Sequence, residues 1–222
     1  MRSEEETLEY RSRTRLVDEV AQVLRERIYA GRYTAGEPLR QEHLAADLRV
    51  SRTPLREAIR VLEREGLLHS EPGRGVRVVT ADLVTLLDAY ALREVVDGLA
   101  ARLAAENAGE RDIARLRELV ERQRATLEPF DAGAYTLSNV EFHAAVTEVA
   151  GNAFLKGELP LMRLTSQVFT PVDLIGERHA RFAVDQHAEI VQAIAAADGP
   201  EAERRARAHI RSTITRLQGG ER

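Results

Sequence analysis

The 222-residue chain contains no cysteine. No disulfide can form, and neither a thiolate nucleophile nor a thiolate metal site is available. Lysine occurs once, at Lys156, and arginine carries the rest of the positive charge. We read that swap as a matter of genomic base composition rather than of chemistry. There is no run of about 20 apolar residues, so no membrane-spanning helix is expected. The N-terminus, Met1-Arg-Ser-Glu-Glu-Glu6, is acidic and lacks an apolar segment, so it does not read as a signal peptide. A cytoplasmic protein with no membrane partner is expected. Internal repeats and low-complexity tracts are also absent.

With 44% hydrophobic and 31% charged residues, the composition is that of a globular domain, and the length suits one large domain or two small ones. The net charge of −4 hides a pattern. Residues 11–79 hold 14 arginines against 10 acids, whereas residues 80–222 hold 17 basic residues against 22 acids. A mildly basic front and an acidic back suit a nucleic-acid-contacting module joined to something else.

The front half turns on the stretch from Arg40 to Gly66, which reads as two short helices with a tight turn at Val50-Ser51. Leu44, Ala45 and Leu48 give the first helix an apolar face. Ser51 is placed to cap the second helix, and Pro54 falls in its first turn, where a missing N–H costs nothing. The second helix carries two stripes. Leu55, Ala58, Ile59 and Leu62 repeat with the period of a buried face. Arg52, Arg56, Arg60 and Arg64 lie four apart on another face. Such a rod suits the duplex major groove, where a guanidinium makes paired bonds to guanine. The first residues of a recognition helix reach deepest, so Ser51, Arg52, Thr53 and Arg56 are the candidate base readers, with Arg40 as a further DNA contact. Arg60 and Arg64 face phosphate or solvent.

Residues 1–10 have little apolar content and read as a flexible arm. Leu16, Val20, Val23, Leu24 and Ile28 then mark an amphipathic helix, stopped by Gly31. Leu67–Ser70 and Val76–Val79 read as a two-stranded ribbon with the tip Glu71-Pro-Gly-Arg-Gly75. That tip is either a plain hairpin turn or a DNA contact. In the second case Gly73 and Gly75 let the backbone approach closely, and Arg74 touches phosphate or enters the minor groove.

The segment Val50-Ser-Arg-Thr-Pro-Leu-Arg-Glu-Ala-Ile-Arg-Val-Leu-Glu-Arg-Glu-Gly-Leu-Leu68 resembles the winged helix-turn-helix signature of the GntR family of bacterial transcription regulators. Gly31–Leu39 resembles the family's link between its first and second helices, and Pro72–Val76 its wing. The resemblance implies a homodimer on a near-palindromic double-stranded DNA operator.

From Thr80 onward the apolar period stays near that of a helix, and six helices are expected, at about 81–107, 111–127, 132–150, 152–170, 178–197 and 200–218. The domains are therefore a winged helix-turn-helix at 11–79 and an all-α unit at 80–222. Asn139 and His143 share one helical face, His187 borders the apolar stripe Ile190, Val191 and Ile194, and His209 lies on the last helix. Three imidazoles on three helices either meet as a metal site in the bundle or serve as structural histidines. His43, His69 and His179 read as surface residues.

This half is similar to the FCD ligand-binding domain of the FadR subfamily. The similarity rests on Leu92-Arg-Glu, on Phe142-His-Ala-Ala-Val-Thr-Glu-Val-Ala-Gly-Asn152, on His187-Ala-Glu-Ile-Val-Gln-Ala-Ile194 and on His209. It implies a mainly α protein whose C-terminal antiparallel helical bundle surrounds a cavity. It also implies a divalent metal, Zn, Ni or Mn, held by one Asp and three His. The imidazoles match His143, His187 and His209, but Asn139 stands where the family has Asp. A neutral amide removes one unit of attraction for the cation and leaves room for an anionic effector to supply it. Arg93, which aligns with an arginine near the family's cavity, is the first candidate to clamp an effector carboxylate. Arg163 is the second, and for both the alternative is a salt bridge to a neighbouring helix. The expected function is a ligand-responsive regulator, in the family's default a repressor, that binds a small organic acid. A metal-dependent enzyme fused to a DNA-binding module is the alternative, although Glu141 and Glu148 lie off the ligand stripe and no general base is evident.

Overall fold

No glycine or proline interrupts residues 2–29, and a single helix, α1 (Arg2–Tyr29), forms there. Residues 2–10, expected as an arm, continue this helix; low apolar content does not prevent a run of good helix formers from extending it. The computed structural model describes residues 2–71, 75–170 and 175–219, with side chains from Arg15 onward. These fall into two compact units that divide between Thr80 and Ala81.

In the first unit α1 buries Val17, Val20, Ala21, Leu24 and Ile28. Leu16 and Val23, read as part of that face, lie off it and are exposed. Next come β1 (Pro38–Leu39), α2 (Gln41–Leu48) and α3 (Arg52–Arg64). Helix α3 buries Pro54, Leu55, Ala58, Ile59 and Leu62, which is the stripe its period dictates. Ser51 occupies its N-cap in an extended conformation, but its side chain accepts no capping bond, contrary to expectation. Gly66, at φ +72°, takes the left-handed turn that ends the helix, and Leu67 N–H then bonds back to Leu62 O at 2.9 Å. Arg25 and Glu65 join α1 to this end of α3 at 2.6 Å.

The wing has three strands rather than two. β2 (Leu68–Glu71) and β3 (Gly75–Val78) pair antiparallel, and β1 adds to the other edge of β3, with Leu39 opposite Val76. A two-residue strand carries no period of its own; only the free edge of β3 reveals it. Residues 72–74, and so the candidates Gly73 and Arg74, lie outside the described residues.

The second unit holds α4 (Leu83–Asn107), α5 (Glu110–Ala125), α6 (Ala132–Val149), α7 (Ala153–Gly157), α8 (Leu159–Arg163), α9 (Glu177–Ala195) and α10 (Gly199–Gly219). Asp82 caps α4 by accepting from Thr85 N–H at 2.8 Å, and Asp131 caps α6 in the same way through Ala134 N–H. The single helix expected at 152–170 is broken instead. Pro160, with no N–H to give, sits in the first turn of a new helix. Residues Leu164–Phe169 follow as a π-helical turn. α10 lies tight on α4 because Gly98 has no side chain: a Cβ there would meet Arg207 Cγ at 2.7 Å. Ala100, Ala101, Ala104 and Ala105 continue this small face into the core, where Leu116, Phe142, Ile190 and Ile194 are almost fully buried.

Candidate functional site

Arg40, Arg52, Thr53, Arg56 and Gly75 line one groove of the first unit, of about 810 Å³, between the start of α3, the start of α2 and the wing. Helix α3 puts its apolar stripe inward, so its arginines stand on the open face. Ser51 is exposed at the same helix end but is not among the lining residues. Arg52 meets Glu42 at 2.5 Å, with both side chains more than 70% exposed. Such a pair contributes little and is readily exchanged for a stronger anion. Arg25 occupies Glu65, and Ser70 donates to Glu63. Among the described residues Arg56, Arg60 and Arg64 then form no ion pair, which leaves a cationic stripe without internal neutralisation.

In the second unit, His143 on α6, His187 on α9 and His209 on α10 are all buried, and one ligating atom from each lies within 4.8 Å of the others. Each ring is held from behind. His143 Nδ1 lies 2.9 Å from Asp97 Oδ1, His187 Nδ1 2.7 Å from Gln123 Oε1, and His209 Nδ1 3.0 Å from Gln186 Oε1. Each acceptor fixes the proton on Nδ1 and leaves Nε2 as a lone pair. Phe142 stacks on His187 with ring centroids 4.1 Å apart, which fixes the plane of that ring. Burial, then the neighbouring imidazoles, push the pKa values of His187 and His209 well below the usual histidine range, so both rings are neutral.

His187 Nε2 and His209 Nε2 stand 3.1 Å apart. Two lone pairs at that distance repel unless a cation lies against both. Neutral, oriented, buried imidazoles are the donor set that Zn, Ni or Mn takes, so the residues present fit a divalent metal. Asn139 lines the cavity beside His143 and can offer only an uncharged oxygen. A carboxylate is nevertheless close: Asp97, on α4, stands behind His143. Burial opposes its charge, but the Arg93 guanidinium and His143 hold its carboxyl well below the usual carboxylate range.

The adjoining cavity, of about 50 Å³, is lined by Arg93, Asn139, His143, His209 and Arg216 together with several hydroxyl-bearing side chains. Arg93, only 2% exposed, is not a free clamp as expected. Its Nε donates to Asp97 at 3.1 Å, and its Nη1 donates to Thr165 and Ser166 at 3.2 and 3.0 Å. Only Nη2 remains buried without a partner. Arg163 is exposed and lies outside this cavity. His179, read as a surface residue, instead lines it, and burial together with Arg216 lowers its pKa to about 4. Asp97, Gln123, Gln186 and Arg216 were not found from the sequence. The spacing of Arg93 and Asp97, one helical turn apart on a face with Tyr90, was the one available signal.

A guanidinium-lined groove on a winged helix-turn-helix, in one chain with a helical bundle that encloses a polar cavity, is the architecture of a DNA-binding transcription regulator. A family model described as "Bacterial regulatory proteins, gntR family" matches residues 16–78, and one described as "FCD domain" matches residues 88–212. The chain belongs to the GntR family of bacterial transcription regulators, as a member with an FCD domain, and is not an enzyme. It is 32% identical to the Nta operon transcriptional regulator of Aminobacter aminovorans, over 73% of this chain and 76% of that one. It is 28% identical to the transcriptional repressor NanR of Cronobacter sakazakii, over 93% and 87%. The fold is similar to that of McbR/YncC from E. coli, with a TM-score of 0.81 at 22% identity over 93% of this chain and 99% of that chain. No helix among the described residues is long and apolar enough to cross a membrane.

Proposed function

We propose that the chain is a cytoplasmic, ligand-responsive repressor whose helical unit binds a small carboxylate beside a divalent metal. The observation that carries this reading is the buried cluster of His143, His187 and His209, two of which, His143 and His209, line the same cavity as Arg93, whose Nη2 has no partner. His143, His187 and His209 hold Zn, Ni or Mn, and the Asn139 amide oxygen is the fourth candidate ligand. When bound, the metal would supply positive charge beside Arg93 for a carboxylate. Arg93 Nη2 donates to that carboxylate, and Asp97 keeps both Arg93 and the His143 ring in place. NanR, named a repressor, supports the sign of the response.

On the first unit, Arg52, Thr53 and Arg56 read base edges of a near-palindromic operator. Ser51, expected among the base readers but outside the groove lining, lies with Arg40 and Gly75 against the sugar-phosphate backbone, and Gly73 and Arg74 are further contacts outside the described residues. The operator's symmetry calls for a homodimer. Helix α4 offers a surface for it: Leu92, Val95 and Leu99 form an apolar stripe, each 39–50% exposed. Asp88 precedes Val95 by as many residues as Arg102 follows it, and both are exposed. Two copies of α4 crossing antiparallel at Val95 would set each Asp88 against the partner's Arg102. Sedimentation of Val95→Glu is expected to give monomer; an unchanged dimer removes α4 from the interface.

The effector reading is tested with full-length protein, its metal content measured by elemental analysis, on an operator obtained by in-vitro selection. Wild type is expected to hold about one metal per chain and to release DNA on addition of a small organic acid. His143→Ala is expected to lose both properties. Metal-free wild type that still answers the acid overturns the metal role.

A further inference from the structure

The cavity contains a second guanidinium that the reading above leaves unused. On α10, His209, Thr213 and Arg216 recur at i, i+4 and i+7, and all three line the cavity. Seven residues of helix carry Arg216 roughly 10 Å along α10 from the imidazole cluster. Its Nε is buried with no hydrogen-bond partner, as is Nη2 of Arg93, which lines the same cavity. Among the described residues no aspartate or glutamate lines the cavity. Arg93 is offset by Asp97, whereas Arg216 forms no ion pair among the described residues. A guanidinium does not deprotonate inside a protein, so Arg216 contributes an unbalanced positive charge. Arg216 is half-buried, and a cation whose Nε is buried and unpartnered on a cavity is stabilised by an anion bound there.

We infer that the effector is a short dicarboxylate, with one carboxylate at Arg93 and the imidazole end and the other at Arg216. This rests on the carboxylate reading above and narrows it. Size points the same way. At 10–15 Å³ for each water-sized position, a cavity of about 50 Å³ has room for roughly four, which limits the effector to a small acid and excludes a sugar acid. The hydroxyl of Thr213 lines the cavity and can donate to one of the acid's remaining oxygens, whereas those of Thr136 and Thr170 already donate to Ala132 O and Thr165 O. Arg216 is a binding residue in this account and has no part in holding the metal.

Calorimetric titration of the full chain decides the matter, using propionate and butyrate against malonate and succinate, on zinc-loaded and on chelator-treated protein. In wild type the diacids are expected to bind roughly tenfold tighter or more, the weight of one further charge-assisted contact. Arg216→Gln is expected to bring the diacids down to the level of the monoacids, whose own affinity falls by much less because they lack the second carboxylate. Arg216→Met, which keeps the apolar stem, serves as a second variant, and the ligand-free Tm of each establishes that it is folded. Equal binding of both acid classes to wild type, or a diacid preference that survives both substitutions, overturns the inference while leaving the carboxylate reading intact. If wild type binds neither class, the carboxylate reading falls and this inference with it.

Discussion

The two units put their candidate binding residues in opposite places. In the first, Arg52, Thr53 and Arg56 stand in solvent on a helix whose other side is fully committed to the core. In the second, Arg93, Asp97, His143, His187 and His209 are themselves in the interior. An exposed cation costs nothing to hold and waits for a polyanion. A buried ion pair costs desolvation and must be satisfied where it stands, so its partners are as much part of the site as the ligands are. The first unit therefore tolerates change at its functional face, and the second does not.

The sharpest way to break that contrast is Asp97→Asn. It removes the counter-charge from a guanidinium that is 2% exposed. A loss of about 3–5 kcal/mol in stability is expected, measured by urea denaturation. A loss no larger than that of an exposed pair would mean that water reaches Arg93 and that the interior description is wrong.

Acid is the next lever. His179 binds its proton near the ordinary histidine value when unfolded but only at about 4 when folded. Between those values the unfolded chain carries the extra proton, so stability falls as pH falls. Arg216 opposes the charge from α10, and the neutral rings of His187 and His209 offer none to offset it. His179→Gln is expected to flatten part of the fall in Tm from pH 6.5 to 4. An unchanged Tm profile would place His179 in solvent after all.

On the other side of the comparison, Arg56→Ala is expected to cost about 1–3 kcal/mol of operator binding, and to relax base preference at one position. Tm should be nearly unchanged, since the side chain is exposed. Arg60→Ala should instead weaken operator and random DNA alike. If footprints show full selectivity in Arg52→Ala and Arg56→Ala, α3 is not the reading element. The smallest effect is assigned to Glu42→Gln, which frees Arg52 from an exposed pair and should move stability by less than about 1 kcal/mol.

The same contrast governs what could be read in advance. The α3 stripe was legible because all its members fall within 13 consecutive residues, and helical period alone sorts them into two faces. Asn139 and His143 were legible for the same reason. Ser51 stands where a cap is expected, yet its hydroxyl does not make the bond; position is local, but the rotamer is not. Arg163 was attractive by sequence neighbourhood, and the break at Pro160 leaves it exposed. Asp97 was missed because it is 46 positions from His143, and nothing in α4 announces which ring it will meet.

The sequence by itself determined most of the helices and the two faces of α3, because each follows from residues within a few turns of one another, and it marked the three imidazoles through the resemblance of the second half to the FCD domain. Only the tertiary structure decided that Arg93 is bound to Asp97, that Gln123 and Gln186 orient two rings, and that Arg216 and His179 share the cavity. Hydrogen bonds and buried charges act over about 3 Å, and residues far apart in the chain come that close only once the bundle has packed.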